Sequence, residues 1–470
     1  MTLDRTTAPP RSGPLEARLP RIERRTLTNG LALATCRASA APETLIELSV
    51  PGGRARERLD ELGLASLVAR ALQEGTRKHT TVELVDALDY LGADLRAGVD
   101  EDSLVVSLRV LDRHLGPALE LMSETLLEPR FDPLDFERVR ALRLATLRSR
   151  GEEAARVADT AWDRLLEGSL TSLGYSALGT EATVAAASVA RARAFHEHSL
   201  DPRRGRVALV GNWSADEAAD LLAPLVRRWP GALAEPASSE DLPASAAAAG
   251  LYCVDRPLAA QTELRIGHRA VAASHPDWLL LAAVNYPLGG QFSSRLNLNL
   301  REQRGFTYGV RSGFEPRRGP GSFTVGLAVQ SRHTAESIRE VRRELAEYLA
   351  GPTDAELAFT REALLQGLAR QFETASARLA FVHTVERFGW PDDYPLERLR
   401  RLAALAPSDL AELARAHLHP GDLRVLAVGP RSELERLAED AQELDLDGAL
   451  LADTEDTSER SARARVGPLA

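Results

Sequence analysis

The stretch GLASLVARALQEGT, residues 63–76, carries Leu64, Leu67, Val68, Ala71 and Leu72 at three- and four-residue steps. That is the period of an amphipathic helix, with Gly75 as its stop signal. Ser66 and Arg70 stand four apart on it and therefore share a face, with Ala69 beside them. A face that holds a metal or activates water needs imidazole, thiolate or carboxylate groups. Serine is a poor zinc ligand and alanine is none. Arginine carries a fixed positive charge and no free lone pair. Ten histidines are spread along the chain, four of them in the close pairs His196/His198 (HEH) and His417/His419 (HLH). An i, i+2 pair shares a face on a strand but not on a helix, so both read as polar helix-end residues. Cys36 and Cys253 lie far apart and have no zinc-finger or disulfide spacing; they read as buried, reduced thiols.

These residues sit in a chain with two similar halves. RVALVG at 206–211 and RVLAVG at 424–429 are near copies, each read as a strand followed by a polar helix. Residues 94–122 and 308–341 share a second layout of strand, turn, strand, polar break and helix. SLVVSLRVL and SFTVGLAVQ alternate as half-buried strands do, and helices follow in groups, so the expected fold is α+β with largely antiparallel sheets. HTTVELVDALDYLGA illustrates the helices: Thr80 and Glu83 form a capping box, Leu84, Leu88 and Leu91 a buried stripe, and Gly92 the end. The expected divisions are a flexible N-terminus over 1–24, a first domain over 25–229, an Ala/Ser/Pro-rich linker over 230–250, a second domain over 251–440 and a polar tail over 441–470.

Composition removes several classes of function. Hydrophobic residues at 44% and charged ones at 27% are those of a globular protein. No apolar run approaches the roughly 20 residues that span a bilayer, so no membrane role is expected. A net charge of −10 argues against a nucleic-acid partner, which needs a clustered basic surface. The first 24 residues contain no apolar signal core, and a cytoplasmic location is expected.

Four stretches carry a resemblance to a known family: LTNGLALATCRASAAPETLIELSVPGGRARE, GLASLVARALQEGT, RGRVALVGNWS and NYPLGGQFSSRLNLNLREQRGFTYGVRSGF. In order and spacing they resemble the M16 zinc peptidases, relatives of insulin-degrading enzyme and mitochondrial processing peptidase, over roughly residues 25–440. The resemblance implies two homologous M16-type domains of the LuxS/MPP-like metallohydrolase fold. It also implies a zinc helix reading His-x-x-Glu-His, whose histidines hold the metal and whose glutamate activates water. Ser66, Ala69 and Arg70 stand at those three positions, and the helix expected to supply a third ligand, within 136–153, has no acid or histidine between Glu137 and Glu152. HTVER at 383–387 copies the first four motif positions, but Arg387 spoils the last; it is read as an exposed or locally bonded His–Glu pair and rejected as a metal site.

The second half keeps what the first has lost. In relatives an Arg and a Tyr seven residues apart hydrogen-bond peptide carbonyls near the scissile bond, and Arg301 and Tyr308 match them. Such donors stabilise the negative charge that water attack builds on a carbonyl oxygen. Some bacterial members split these parts between two chains. The resemblance therefore implies a zinc-less subunit that pairs with a zinc-bearing homologue, the zinc residing in that partner, and acts on peptides; alone it would be inactive. A purely structural or assembly protein of the same superfamily is the alternative.

Overall fold

The computed structural model describes residues 19–37, 42–229, 246–437 and 440–451. Most of the expected linker and tail, and residues 1–18, lie outside them. Two six-stranded sheets organise the chain. The first contains β1 (Ile22–Thr26), β2 (Ala32–Arg37), β3 (Glu43–Pro51), β4 (Asp94–Val99), β5 (Ser103–Leu111) and β6 (Arg206–Gly211), in the order β1-β2-β6-β3-β5-β4. The second contains β7 (Gly250–Asp255), β8 (Gln261–Ala272), β9 (Val310–Glu315), β10 (Pro320–Gln330), β11 (Arg424–Gly429) and β12 (Ala441–Glu443), in the order β12-β7-β11-β8-β10-β9. Five strands of each sheet correspond, with the RVALVG and RVLAVG strands at equivalent places, so the duplication and the mostly antiparallel α+β fold expected from sequence are both present. Among the described residues only the β2–β6, β7–β11 and β7–β12 pairs are parallel.

The halves differ at the outer edge. In the first sheet β1 pairs antiparallel with β2, and it begins at Ile22, inside the segment expected to be flexible; burial of the Ile22 side chain explains its order. In the second sheet the edge is β12, which starts at the residue taken as the start of the tail, and Leu444 just beyond it is buried. After β6 comes the expected polar helix, Ala215–Arg228, started by a Ser214/Glu217 capping box. After β11 the polar helix expected from sequence is replaced, among the described residues, by two short 3-10 turns, 431–433 and 435–437.

The helix expected over 63–76 spans Leu64–Leu72 and ends before Gly75. It enters through Gly63 at φ 85°, where the backbone passes so close to Leu178 that a Cβ would lie 2.5 Å from that carbonyl oxygen. The Thr80/Glu83 capping box and the left-handed Gly92 of the next helix, Thr81–Leu91, are as read from sequence. Of its apolar stripe only Leu84 is fully buried, with Leu88 and Leu91 packed at the margin.

Each half lends a helix to the other's sheet. Helix Ala154–Glu167, from the first half, lays Val157, Ala158, Ala161, Trp162, Leu165 and Leu166 against Tyr252, Val254, Leu426 and Val428 of the second sheet. Helix Ala375–Phe388, from the second half, lays Phe381, Val382 and Val385 against Cys36, Leu45 and Val210 of the first. Ion pairs close the junction. Buried Arg317, between β9 and β10, meets Glu101 at 3.0 Å and also pairs with Glu167. Cutting one exchanged helix therefore loosens both sheets. Phe381→Ala, which removes a ring 2% exposed, should cost about 3–5 kcal/mol, and calorimetry should still show one transition; a separate early transition of one half would contradict the coupling.

Candidate functional site

Helix Leu64–Leu72 faces helix Pro133–Arg150, on which the family resemblance places the third zinc ligand. Between them, where a metal set would stand, are two polar cross-links. Arg143 Nη1 donates to Ser66 Oγ at 2.6 Å, and the same hydroxyl donates to the Ala177 carbonyl at 2.7 Å. One turn on, Arg70 pairs at 3.0 Å with Glu74, whose carboxylate also accepts from Arg138 of the facing helix. Glu74 is 4% exposed and holds both guanidinium groups. Ala69, which the family resemblance sets against the water-activating glutamate, is packed in the first-half core. The site presents Arg70 from one helix and Arg138 and Arg143 from the other, one carboxylate held by two of them, one hydroxyl already bonded on both sides, and a methyl group. These residues do not fit zinc: the donor set is spent, and a divalent ion beside Arg143 would meet like charge.

Glu57 completes this face from outside the helix. Its Oε1 accepts from the Ala65 N–H at 2.7 Å, which caps the first turn. Burial pushes its carboxyl up to about 7, against the pull of the Ala65 and Gly63 N–H groups and of Arg54 and Arg143. Arg143 is itself drawn below the ordinary arginine value by burial, offset by Glu57.

Arg301 and Tyr308 stand in the second half. Arg301 lies in a π-helical turn, Leu298–Gln303, a geometry often found at functional positions. Its guanidinium stacks on the Phe292 ring, 3.9 Å from the centroid, and pairs with Glu302 at 2.7 Å. Tyr308 is 95% exposed in the loop before β9, and Phe292 is 69% exposed. Neither sits in a core. Sequence reading missed Phe292 as the ring that orients Arg301, although it lies in the same GGQF motif. Among the described residues no hydrogen bond or ion pair joins Arg301 or Tyr308 to the first half. Neighbouring Arg295 forks onto Glu356 with two bonds of 2.7 Å and is structural.

The histidine pairs close helices Val189–Ser199 and Pro407–His417, but two of the four rings are buried. His196 bonds the Leu126 carbonyl at 2.7 Å, and His417 bonds Asp277 at 3.0 Å. His275, Asp277 and His417 bring their ligand atoms within 4.8 Å of one another. His275 Nδ1, however, already accepts the Asp277 N–H at 3.2 Å, and Arg401 approaches the Asp277 carboxylate at 3.7 Å, so the cluster's donors are engaged and it does not fit a cation. The HTVER pair is neither exposed nor bonded to itself, which corrects the expectation from sequence. His383 bonds Glu47 of β3, Glu386 pairs with Arg24 at 2.8 Å, and Arg387 pairs with Asp102 at 3.2 Å. All three clamp one half to the other. Cys36 and Cys253 are buried free thiols, as expected.

A duplicated α+β chain of two such six-stranded sheets has the architecture of a two-domain metallopeptidase-like fold. The Insulinase (Peptidase family M16) model matches residues 33–177, and the Peptidase M16 inactive domain model matches residues 186–364. The chain belongs to peptidase family M16, and its second half is the part that matches that family's inactive-domain model. It is similar to an uncharacterized zinc protease of Mycobacterium leprae, 26% identical over 371 residues, covering 77% of this chain and 81% of the relative. It is also similar to the non-peptidase homolog YmxG of Helicobacter pylori, 24% identical over 402 residues, covering 83% and 90%. A crystal structure of a peptidase M16 inactive domain from Pseudomonas fluorescens superposes with a TM-score of 0.80 at 24% identity, over 87% of this chain and 98% of that one. No described helix is long and apolar enough to cross a membrane.

The raised carboxyl of Glu57 has a signed consequence. A folded value of about 7 against an ordinary 4.5 means that its contribution to stability is full below about pH 4.5 and is lost as pH rises through about 7. Glu57→Gln keeps an acceptor for the Ala65 N–H and should be more stable than wild type above neutrality, by up to about 3 kcal/mol. Urea midpoints followed across that range should diverge between the two proteins; parallel curves would contradict the assignment.

Proposed function

We propose that this chain is the zinc-less subunit of a two-chain M16 metallopeptidase. It pairs with a zinc-bearing homologue, encloses an extended peptide with it, and presents Arg301 and Tyr308 to the peptide backbone. The observation that carries this reading is the contrast between the two faces. The Ser66/Arg70 face is tied up by Arg143, Glu74 and Arg138, whereas Tyr308 is 95% exposed and Arg301 is oriented by the Phe292 ring beneath its guanidinium. In such a complex the partner supplies the metal and activated water. This chain supplies donors aimed at the substrate carbonyls and at the oxygen on which charge develops. A guanidinium gives two fixed donors without losing its charge, and a tyrosine hydroxyl gives one.

A second reading, a structural or assembly protein with no part in proteolysis, is favoured by the Arg301–Glu302 pair, which gives that guanidinium a local partner, and by the name of the Helicobacter relative. One experiment separates them. The chain is co-purified with a zinc-bearing M16 homologue from the same genome, and cleavage of unfolded peptides is assayed with Arg301→Ala and Tyr308→Phe. The subunit reading expects kcat/KM to fall about tenfold or more in each while the complex elutes intact, and expects no cleavage by the isolated chain. Wild-type rates in both variants would leave the assembly role standing in its place.

A further inference from the structure

Where the two halves meet there is an open cavity of about 1460 Å³. Its walls come from the end of β3 and the turn Arg54–Arg56, the β4–β5 and β9–β10 hairpins, the segment after helix Ala154–Glu167, and the start of β6. A chain with a net charge of −10 lines this space with seven arginines and four carboxylates.

The carboxylates are already engaged. Glu101 pairs with Arg317 at 3.0 Å, Asp102 with Arg387 at 3.2 Å and Arg318 at 3.4 Å, Glu167 with Arg317 and with Arg269 at 3.6 Å, and Glu57 is held by the helix N-terminus. The excess positive charge falls on Arg56, Arg204 and Arg206. Among the described residues no carboxylate lies within ion-pair distance of any of the three, and Arg206 donates only to the Glu386 carbonyl, at 2.8 Å. Burial and the neighbouring Arg204 lower Arg56 from the ordinary arginine value against the pull of Asp102, and burial and Arg318 lower Arg206 against the pull of Glu386 and Asp102. Crowding like charges costs free energy in the empty protein that a bound anion returns.

The geometry points to an acidic peptide as the occupant, held by Arg56, Arg204 and Arg206 through its side-chain carboxylates. The guanidinium fork suits carboxylate geometry. The space exceeds the roughly 300–1,000 Å³ that holds a small ligand, and it is open, so it admits a stretch of chain and not only a free ion. An overall acidic molecule repels nucleic acid at long range, which leaves a short anionic segment as the better match. The site belongs to this chain alone and does not depend on pairing with a zinc subunit, so its failure and the failure of that reading are separable.

The test uses the full isolated chain with a fluorescent oligoglutamate peptide, an oligolysine peptide of equal length, a single-stranded oligonucleotide and inorganic phosphate. Fluorescence anisotropy should show oligoglutamate binding that weakens with added salt, no oligolysine binding, and at least about tenfold weaker oligoglutamate binding in Arg56→Gln/Arg204→Gln. The melting temperature of that double variant, measured without anions, should equal or exceed that of wild type because a like-charge contact is relieved. Should it fold poorly, exposed Arg204→Gln alone carries the comparison and should also weaken binding. Absent oligoglutamate binding, unchanged affinity in the variants, displacement of the peptide by phosphate at equal carboxylate concentration, or a preference for the oligonucleotide would each overturn the proposal.

Discussion

A fixed positive charge stands where the family resemblance would place a divalent cation. Arg143 reaches across from helix Pro133–Arg150 to Ser66, and one turn along Glu74 ties Arg70 to Arg138. A guanidinium keeps its proton through the whole physiological range. The positive charge of the cleft is therefore covalently attached and offers no open coordination position. The two helices are held by hydrogen bonds and an ion triad in the place where a metal would hold them, so the fold of the first half does not need an ion. That separates the scaffold from the chemistry: the same sheet and helices persist, and whatever the protein does has to be done by other groups.

Those groups are arranged by the duplication. Because each half contributes a helix to the other's sheet, the cleft between the halves has fixed walls, and its charged residues come from both. Arg317, Glu101 and Glu167 lock the bottom, and His383 and Arg387 clamp the side. The same exchange leaves the loop that bears Tyr308 on the outside, where a second molecule can reach it.

Much of this was legible in the sequence where the signal was local. The near-identical RVALVG and RVLAVG strands, the Thr80/Glu83 cap and the helix beginning at Leu64 depend on neighbouring residues and could be read directly. The family resemblance supplied the meaning of Ser66, Ala69 and Arg70. Contacts between distant segments could not be read. Arg138, Arg143 and Glu57 become partners of the motif helix only when the helices face each other, and nothing in their own surroundings marks them. His383 and Glu386 looked like a local pair because helical spacing was the only information; the first-half residues they bond are far away in the chain. The short β12 was lost in a polar stretch because three residues give too little alternation to identify a strand.

The most direct test of the account is the metal content of the isolated chain, dialysed against zinc and then against metal-free buffer and measured by elemental analysis. Far less than one zinc per chain is expected, with no change when Ser66 is replaced by Ala. One zinc per chain that disappears on Ser66→Ala would show that this face still holds a metal and would contradict it.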